Sequence, residues 1–219
     1  MPGALRRTIP IIVNKFPSRI YLASRSPRRR ELLTQMGLRY EVLLLRDSAD
    51  RQDLDETPHS GESPHDHVQR IAISKAELGW QRVIQRRLPH YPVLGADTSI
   101  TLDGEIFGKP GNRQNAILML NKLSGRTHEV MTSVALVYRE YVQHLTSLSS
   151  VTFKSLSAEE IEYYAASGEP CDKAGAYAIQ GRGAIFVQHL VGSYSGVMGL
   201  PIFETAMLLD QFKLRGHPG

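Results

Sequence analysis

With 219 residues, 42% of them hydrophobic and 22% charged, the chain is long enough for one soluble globular domain with a sizeable core. A net charge of +4 without a long Lys/Arg run favours small anionic ligands over nucleic acid. The single cysteine, Cys171, excludes an intramolecular disulfide and points to a reducing compartment, here the cytoplasm, and no apolar run approaches the ~20 residues of a membrane span.

Residues 1–18, with Arg6, Arg7, Lys15 and three prolines, lack the apolar region and cleavage site of a signal peptide. They read as a basic N-terminal extension, the alternative being a short organellar presequence, ahead of one domain over 19–219. Ile20-Tyr21-Leu22-Ala23 predicts a strand, and Ser24-Arg25-Ser26-Pro27 leads into a helix. Ser26 suits the N-cap and Pro27 the first helical position; Leu32, Leu33 and Met36 form an apolar stripe, and Gly37 closes the helix. Arg28, Arg29 and Arg30 fall in the first turn, where the helix dipole disfavours cations. A bound anion resolves that conflict, and arginines splayed into solvent are the other reading. The P-loop pattern is absent.

A strand over 40–45 runs into an acidic loop with Asp47, Asp50, Asp53, Asp55 and Glu56. Hard divalent cations prefer such oxygens, though a solvated loop has the same composition. Ser63-Pro64-His65-Asp66 starts the next helix, and Val68, Ile71, Ala72 and Lys75 share its spacing. Lys75 is thus expected on the inward face, where its charge needs an anion. His59, His65 and His67 are spaced too irregularly for a metal site and are expected at the surface. Residues 81–90 read as a helix end and a solvated basic loop.

The stretch 95–110 organises the chain. Val93 and Leu94 end a buried run, and Ile100 and Leu102 alternate with Ser99 and Thr101, so Asp97 is expected within a sheet. Asp103-Gly104 is a two-residue hairpin signal that brings Gly108-Lys109-Pro110 back toward Asp97. The result is either a structural Asp paired with a Lys or a working carboxylate beside an ammonium.

Residues 115–123 predict a helix with Ile117, Leu118, Met119 and Leu120 largely buried. Ser124-Gly125 ends it, and Arg126-Thr127-His128 opens a strand in which Val130, Thr132, Val134 and Leu136 share a face. A lone His at a strand start is read as structural. Sheet is expected to continue over 142–153, and Ser157-Ala158-Glu159-Glu160 is a capping box for a helix through Tyr164. Residues 172–181 combine small residues with isolated polar groups, which suits close backbone approach and leaves room for a ligand. A buried strand over 184–191 and an amphipathic helix from 200 to about 214 finish the chain.

Four stretches in this order resemble the Maf family of nucleoside triphosphate pyrophosphatases: Leu22-Ala23-Ser24-Arg25-Ser26-Pro27-Arg28-Arg29, residues 95–110, Ser124-Gly125-Arg126-Thr127-His128, and residues 172–181. The resemblance runs from about 19 to 214, with Arg25 standing where the family usually has a small residue. It implies an α/β fold in which an elongated mixed sheet with flanking helices forms two lobes around a central cleft, related in architecture to inosine triphosphate pyrophosphatases and often dimeric. It also implies hydrolysis between the α and β phosphates, giving a monophosphate and pyrophosphate, with a divalent cation, Mg²⁺ or Mn²⁺.

Carried onto this chain, the resemblance makes Asp97 the essential carboxylate, either base toward water or metal ligand, with the base favoured. Glu56 becomes the second carboxylate and metal ligand, and Lys75 and Lys109 bind the phosphates. Ser24 and Arg28 hold the triphosphate, with Arg29 in second place. Lys173 to Gly181 reads as in the branch acting on dTTP and UTP, so Gln180 and Thr98 are expected to contact the base. A uracil or thymine edge offers an N–H donor between carbonyl acceptors, which one amide can match. The implied partners are the nucleotide and a second copy of the chain. The alternative is a non-catalytic regulator of cell division that binds nucleotide or nucleic acid. A carboxylate held among cations favours the enzyme, since a pure phosphate binder has no need of one.

Overall fold

The computed structural model describes residues 19–45 and 54–214; residues 1–18 and Asp47, Asp50 and Asp53 of the acidic loop lie outside the described residues. The chain runs through β1 (Ile20–Leu22), α1 (Pro27–Gln35), β2 (Tyr40–Val42), α2 (Pro64–Gln85), β3 (Val93–Leu102) and β4 (Glu105–Phe107). It continues as α3 (Arg113–Leu123), β5 (Thr127–Tyr138), β6 (Tyr141–Phe153), α4 (Ala158–Ala166), β7 (Val187–Val191), α5 (Tyr194–Met198) and α6 (Ile202–Leu214). The strands form one mixed sheet in the order β2-β1-β3-β5-β6-β7, with β4 also paired to β3. β1 runs parallel to both β2 and β3, and the remaining pairs are antiparallel. The expected elongated mixed sheet with flanking helices is therefore present. Among the described residues no helix is long and apolar enough to cross a membrane.

β3, β5 and β6 hold 10, 12 and 13 residues, and at ~3.3 Å per residue they span roughly 33–43 Å. The sheet accordingly carries separate cores along its length. At one end Leu22, Leu33, Leu94, Leu136 and Phe212 pack together under α1 and α6. At the other, Ile100, Leu120, Val130, Phe153 and Phe186 pack under α3 and α4. Between them β3 loses its outer partner. β1 pairs with it only at Val93 and Leu94, and β4 only from Ile100 to Leu102, so neither covers residues 95–99. Both outer strands are short for local reasons. β1 gives way to the Ser-Pro start of α1, and β4 follows a tight turn at Asp103 and Gly104, both at positive φ (53° and 81°), the geometry this dipeptide favours.

Several expectations are corrected. β2 stops at Val42 rather than Leu45. Leu118 points outward from α3 at 60% exposure, because Ala116, Leu120 and Leu123 already fill the inward face. Residues 184–191 are not one buried strand: Arg182–Phe186 is a 3₁₀ turn and β7 is a half-exposed edge strand. Its apolar residues signalled burial, but with a single neighbour, β6, only part of the strand is covered. His67 is buried at 6% exposure, its Nδ1 3.3 Å from Glu62 Oε2, so it is not a surface histidine.

α2 lies across one face of β3 on Val68, Ile71, Ala72, Ala76, Gly79 and Val83, the i, i+3/i+4 stripe of a core-facing helix. Its start is fixed by Ser63, which accepts from the Asp66 amide at 3.1 Å. The helix comes unusually close. A Cβ on Gly95 would fall on the Ala72 carbonyl and 2.7 Å from the Ala76 nitrogen, and one on Gly79 would lie 2.7 Å from Val93. These clashes at Gly95 are with helix backbone, which cannot swing aside. Gly95→Ala should therefore destabilise the fold by about 1–3 kcal/mol through overpacking, read as a lower urea midpoint with an unchanged slope; an unaltered midpoint would mean that the helix has slack at this contact.

Candidate active site

The uncovered stretch of β3 forms the floor of a cleft of about 780 Å³. All nine residues singled out from the sequence line it: Ser24, Arg28, Arg29, Glu56, Lys75, Asp97, Thr98, Lys109 and Gln180. They come from the β1–α1 turn, the first turn of α1, the loop before α2, α2 itself, β3, the segment after β4, and the loop after α4. Leu43, Tyr177, Ile179 and Met198 add apolar walls.

Strand alternation puts Asp97 on the same side of β3 as Gly95, facing α2. Lys75 lies four residues after Ile71 on the inward stripe and reaches across, its Nζ donating to Asp97 Oδ1 at 2.8 Å. The same ammonium lies 3.1 Å from Glu56 Oε1. The Lys75 and Asp97 side chains are only 14% and 13% exposed, whereas Glu56 opens to solvent at 44%. Burial alone would raise the Glu56 carboxyl, but the charge and hydrogen bond of Lys75, with Lys109 and Arg29 farther off, outweigh it and hold the group below its ordinary value. Arg70 fastens the Glu56 loop to α2, donating to Glu62 Oε1 at 2.6 Å and to the Thr57 carbonyl at 3.0 Å.

The donor set tests the implied metal. Among the described residues no three His, Cys, Asp or Glu side chains cluster as a protein-built cage. Two carboxylates joined by one ammonium and facing an open, cation-lined cleft are instead the kind of site at which a hard cation arrives with phosphate oxygens completing its shell. Glu56 and Asp97 fit a cation of that sort.

The β1–α1 turn and the first turn of α1 form the other wall. Ser26 occupies the N-cap position, but its side chain makes no capping bond; Ser24 Oγ instead accepts the Ser26 N–H at 3.2 Å. Arg28 and Arg29 differ in kind. Arg28 lines the cleft, half-buried; burial lowers its pKa while Asp172, Glu169 and Tyr164 oppose the shift. Arg29 turns inward and braces the floor: Nε donates to the Gly199 carbonyl at 2.8 Å, and Nη1 to Ala96 O at 2.7 Å and Ser24 Oγ at 3.2 Å. Nothing in the sequence signalled this brace, because its acceptors lie 67 and 170 residues away.

Gln180 is exposed at the rim, on the segment that follows the Ala174–Ala176 turn. Thr98 faces away from Asp97, its hydroxyl 3.0 Å from Thr132 Oγ1 and 3.4 Å from Arg29 Nη2. It accepts from the brace, and because the Thr132 hydroxyl gives its one proton to the Gly196 carbonyl at 2.7 Å, the Thr98 proton goes to Thr132. The small residues do less to make room than expected: Gly175, at φ 65°, lies where a Cβ would come within 2.6 Å of Ile100, so its size serves close packing on β3. Ala174 and Ala178 do line the cleft. His128 is buried with Nε2 2.9 Å from the Tyr177 hydroxyl, and its ring meets Phe153 and Tyr177 edge-on. It does not line the cleft, in keeping with a structural histidine.

A family model described as Maf-like protein matches residues 19–212. The chain is similar to the dTTP/UTP pyrophosphatase of Aromatoleum aromaticum, 53% identical over 203 residues that cover 92% of this chain and 97% of that one. With the dTTP/UTP pyrophosphatase of Cupriavidus pinatubonensis the identity is 55% over 196 residues, 90% of this chain and 98% of the other. Among solved structures, the Ham1 protein of Staphylococcus aureus aligns with a TM-score of 0.46 at 14% identity, covering 91% of this chain and 100% of that one.

Burial pushes the His128 imidazole down from 6.5 to about 4. The folded state thus binds this proton less readily than the unfolded chain. The resulting stability is fully present above about 6.5 and is lost as pH falls toward about 4. Urea midpoints measured across that window should fall with pH in the wild type, and His128→Gln should remove this part of the slope. An equal slope in the variant would assign the pH dependence to other groups.

Proposed function

The chain belongs to the Maf family, and from that membership we propose that it hydrolyses nucleoside triphosphates, dTTP and UTP foremost, to the monophosphate and pyrophosphate. The observation that carries this reading is a carboxylate, Asp97, held by an ammonium inside a cleft lined with further cations. The similarity to two dTTP/UTP pyrophosphatases over about nine-tenths of the chain supports the substrate class.

The residues divide the work. Ser24, Arg28 and Lys109 bind the triphosphate, and Arg28 supplies a planar donor fork suited to phosphate oxygens. Lys75 holds Asp97 Oδ1, and Oδ2, the oxygen that Lys75 does not hold, takes the proton of a water attacking the α phosphorus. Lys75 and Lys109 stabilise the charge that builds on the phosphates as the α–β bond breaks and pyrophosphate leaves. Glu56, joined by Asp97 where that residue serves as ligand and not as base, would hold a divalent cation, Mg²⁺ or Mn²⁺, which would neutralise charge on the substrate and polarise the phosphoryl group. Gln180 and the Thr98 hydroxyl oxygen contact the base, while Arg29 keeps the floor of the cleft in shape. The same proposal takes 19–219 as one two-lobed domain behind a basic extension, acting as a homodimer in the cytoplasm.

Asp97→Asn keeps the shape and removes the charge, so turnover should fall by at least ~10²-fold. Near-normal turnover in that variant would remove Asp97 from the chemistry. Pyrophosphate should be the primary product in reactions without added pyrophosphatase; orthophosphate alone would move the cleavage point and contradict the proposal. UTP and dTTP should exceed GTP, ATP and CTP in kcat/KM, and Gln180→Ala should shrink that margin.

The two arginines make a paired test. Arg28→Ala should raise KM with little change in melting temperature. Arg29→Ala leaves the Ala96 and Gly199 carbonyls without their donor and should lower stability by about 1–3 kcal/mol. The reverse pattern in thermal unfolding and kinetics would exchange the two roles.

A further inference from the structure

Gln180 sits at the rim of the cleft, exposed, in a segment without regular secondary structure. A side chain in that position discriminates between bases only if its backbone is held, since a mobile amide adapts to whatever edge it meets. The chain around it is held from one side by two residues outside the described chemistry. Tyr164, at 3% exposure on the inner face of α4, places its hydroxyl 3.2 Å from the Ala178 amide, whose N–H it accepts. The same hydroxyl donates to Glu169 Oε1 at 2.9 Å. Glu169 in turn accepts the Arg182 N–H on Oε2 at 3.2 Å and the Gly183 N–H on Oε1 at 3.4 Å.

One phenol and one carboxylate therefore clamp the backbone two residues before Gln180 and two and three residues after it. The Gly181 amide closes the turn by donating to the Ala178 carbonyl at 3.1 Å. The packing is tight enough to exclude side chains on the clamped segment: a Cβ on Gly181 would fall on the Glu169 carboxylate, and one on Gly183 would lie 2.8 Å from the Tyr164 hydroxyl. The Tyr164 ring is itself locked edge-on against Phe186, with centroids 5.0 Å apart at 88°. Burial and the Glu169 contact both raise the Tyr164 pKa, so the phenol keeps its proton and remains a donor.

We infer that Tyr164 and Glu169 are positioning residues for base selectivity, acting as one unit that fixes Gln180 without touching the nucleotide. This rests on the reading of Gln180 as the base-contacting amide. Glu169 has a second neighbour, since its charge also bears on Arg28. A clamp acting through Arg28 would affect every nucleotide alike, whereas one acting through Gln180 must distinguish them.

The test is kcat and KM for UTP and for GTP in the wild type, Tyr164→Phe, Glu169→Gln, Gln180→Ala and the double variant Gln180→Ala/Tyr164→Phe, each with its melting temperature. Tyr164→Phe keeps the ring packing and Glu169→Gln keeps the shape, so both should fold. The expected result is that each lowers the UTP-over-GTP ratio of kcat/KM about tenfold, the scale of one lost hydrogen bond to a charged or buried group. That loss should appear in KM for UTP, with kcat on GTP preserved. The double variant should be no less selective than Gln180→Ala, because both act through one side chain. A lower melting temperature with an unchanged ratio would make the pair structural and overturn the inference. Equal losses on UTP and GTP would assign the effect to Arg28 and overturn it as well. If Gln180→Ala itself keeps the full preference, the reading of Gln180 fails and the inference falls with it, a failure visible in that variant alone.

Discussion

A lysine on the core-facing stripe of a helix costs several kcal/mol in desolvation unless an anion meets it, and Lys75 meets two carboxylates. The contact needs α2 and β3 at one particular separation. Gly79 and Gly95 set it, since each would collide across the interface with even a methyl group. The glycines therefore tie packing to chemistry. Wider spacing would leave a buried ammonium and a buried carboxylate each without its partner, which is far costlier than the pair itself. Asp97 is thereby fixed at the middle of the sheet, in a strand that is buried at eight of its ten positions.

The cleft exists because two outer strands stop short. β1 covers β3 only to Leu94, and β4 begins to cover it only at Ile100. An uncovered strand edge inside a protein exposes backbone groups that need partners. Arg29 stands in for the missing strand at Ala96, satisfying its carbonyl with a guanidinium instead of a neighbouring amide. The rest of the edge is left to face whatever occupies the cleft. A site built this way has a rigid floor, the sheet, and walls supplied by loops that are free to differ in chemistry.

What the sequence revealed is what local rules govern. The Asp103-Gly104 turn, the Ser63 and Ser157 caps, and the inward Lys75 follow from dipeptide geometry, capping and helical period, and the structure carries each of them. The misread features depend on contacts distant in the chain. Residues 184–186 are apolar yet form a turn, because the backbone there is drawn toward Glu169 and Tyr164, 14 to 19 residues earlier in the clamp at Gly183. His67 reads as a surface residue until Glu62 and Arg70 are seen to fold over it. α5 is five residues long and carries Gly196, too short and too weak for periodicity to find. Of the cleft, the residue types were legible through motifs that resemble one family, and so was the second place of Arg29 behind Arg28; what Arg29 does was not, since its acceptors are backbone carbonyls distant in the chain.

If the cleft binds nucleotide as proposed, phosphate and base are recognised by different physics, and that separates rate from selectivity. On the proposed assignment Arg28, Lys75 and Lys109 meet charge, and every nucleoside triphosphate carries the same triphosphate, so these groups cannot choose among bases. On that assignment choice falls to groups that hydrogen-bond the base, an amide and a hydroxyl set among apolar walls. A hydrogen-bonding group discriminates strongly only when a mismatched base leaves it buried and unpaired. That penalty exists only if the group cannot move to find another partner. With Gln180 as the proposed base contact, the hold on the segment around it is part of the recognition itself: loosening it would lower the penalty for the wrong base while leaving phosphate binding, and with it the chemical step, largely as before.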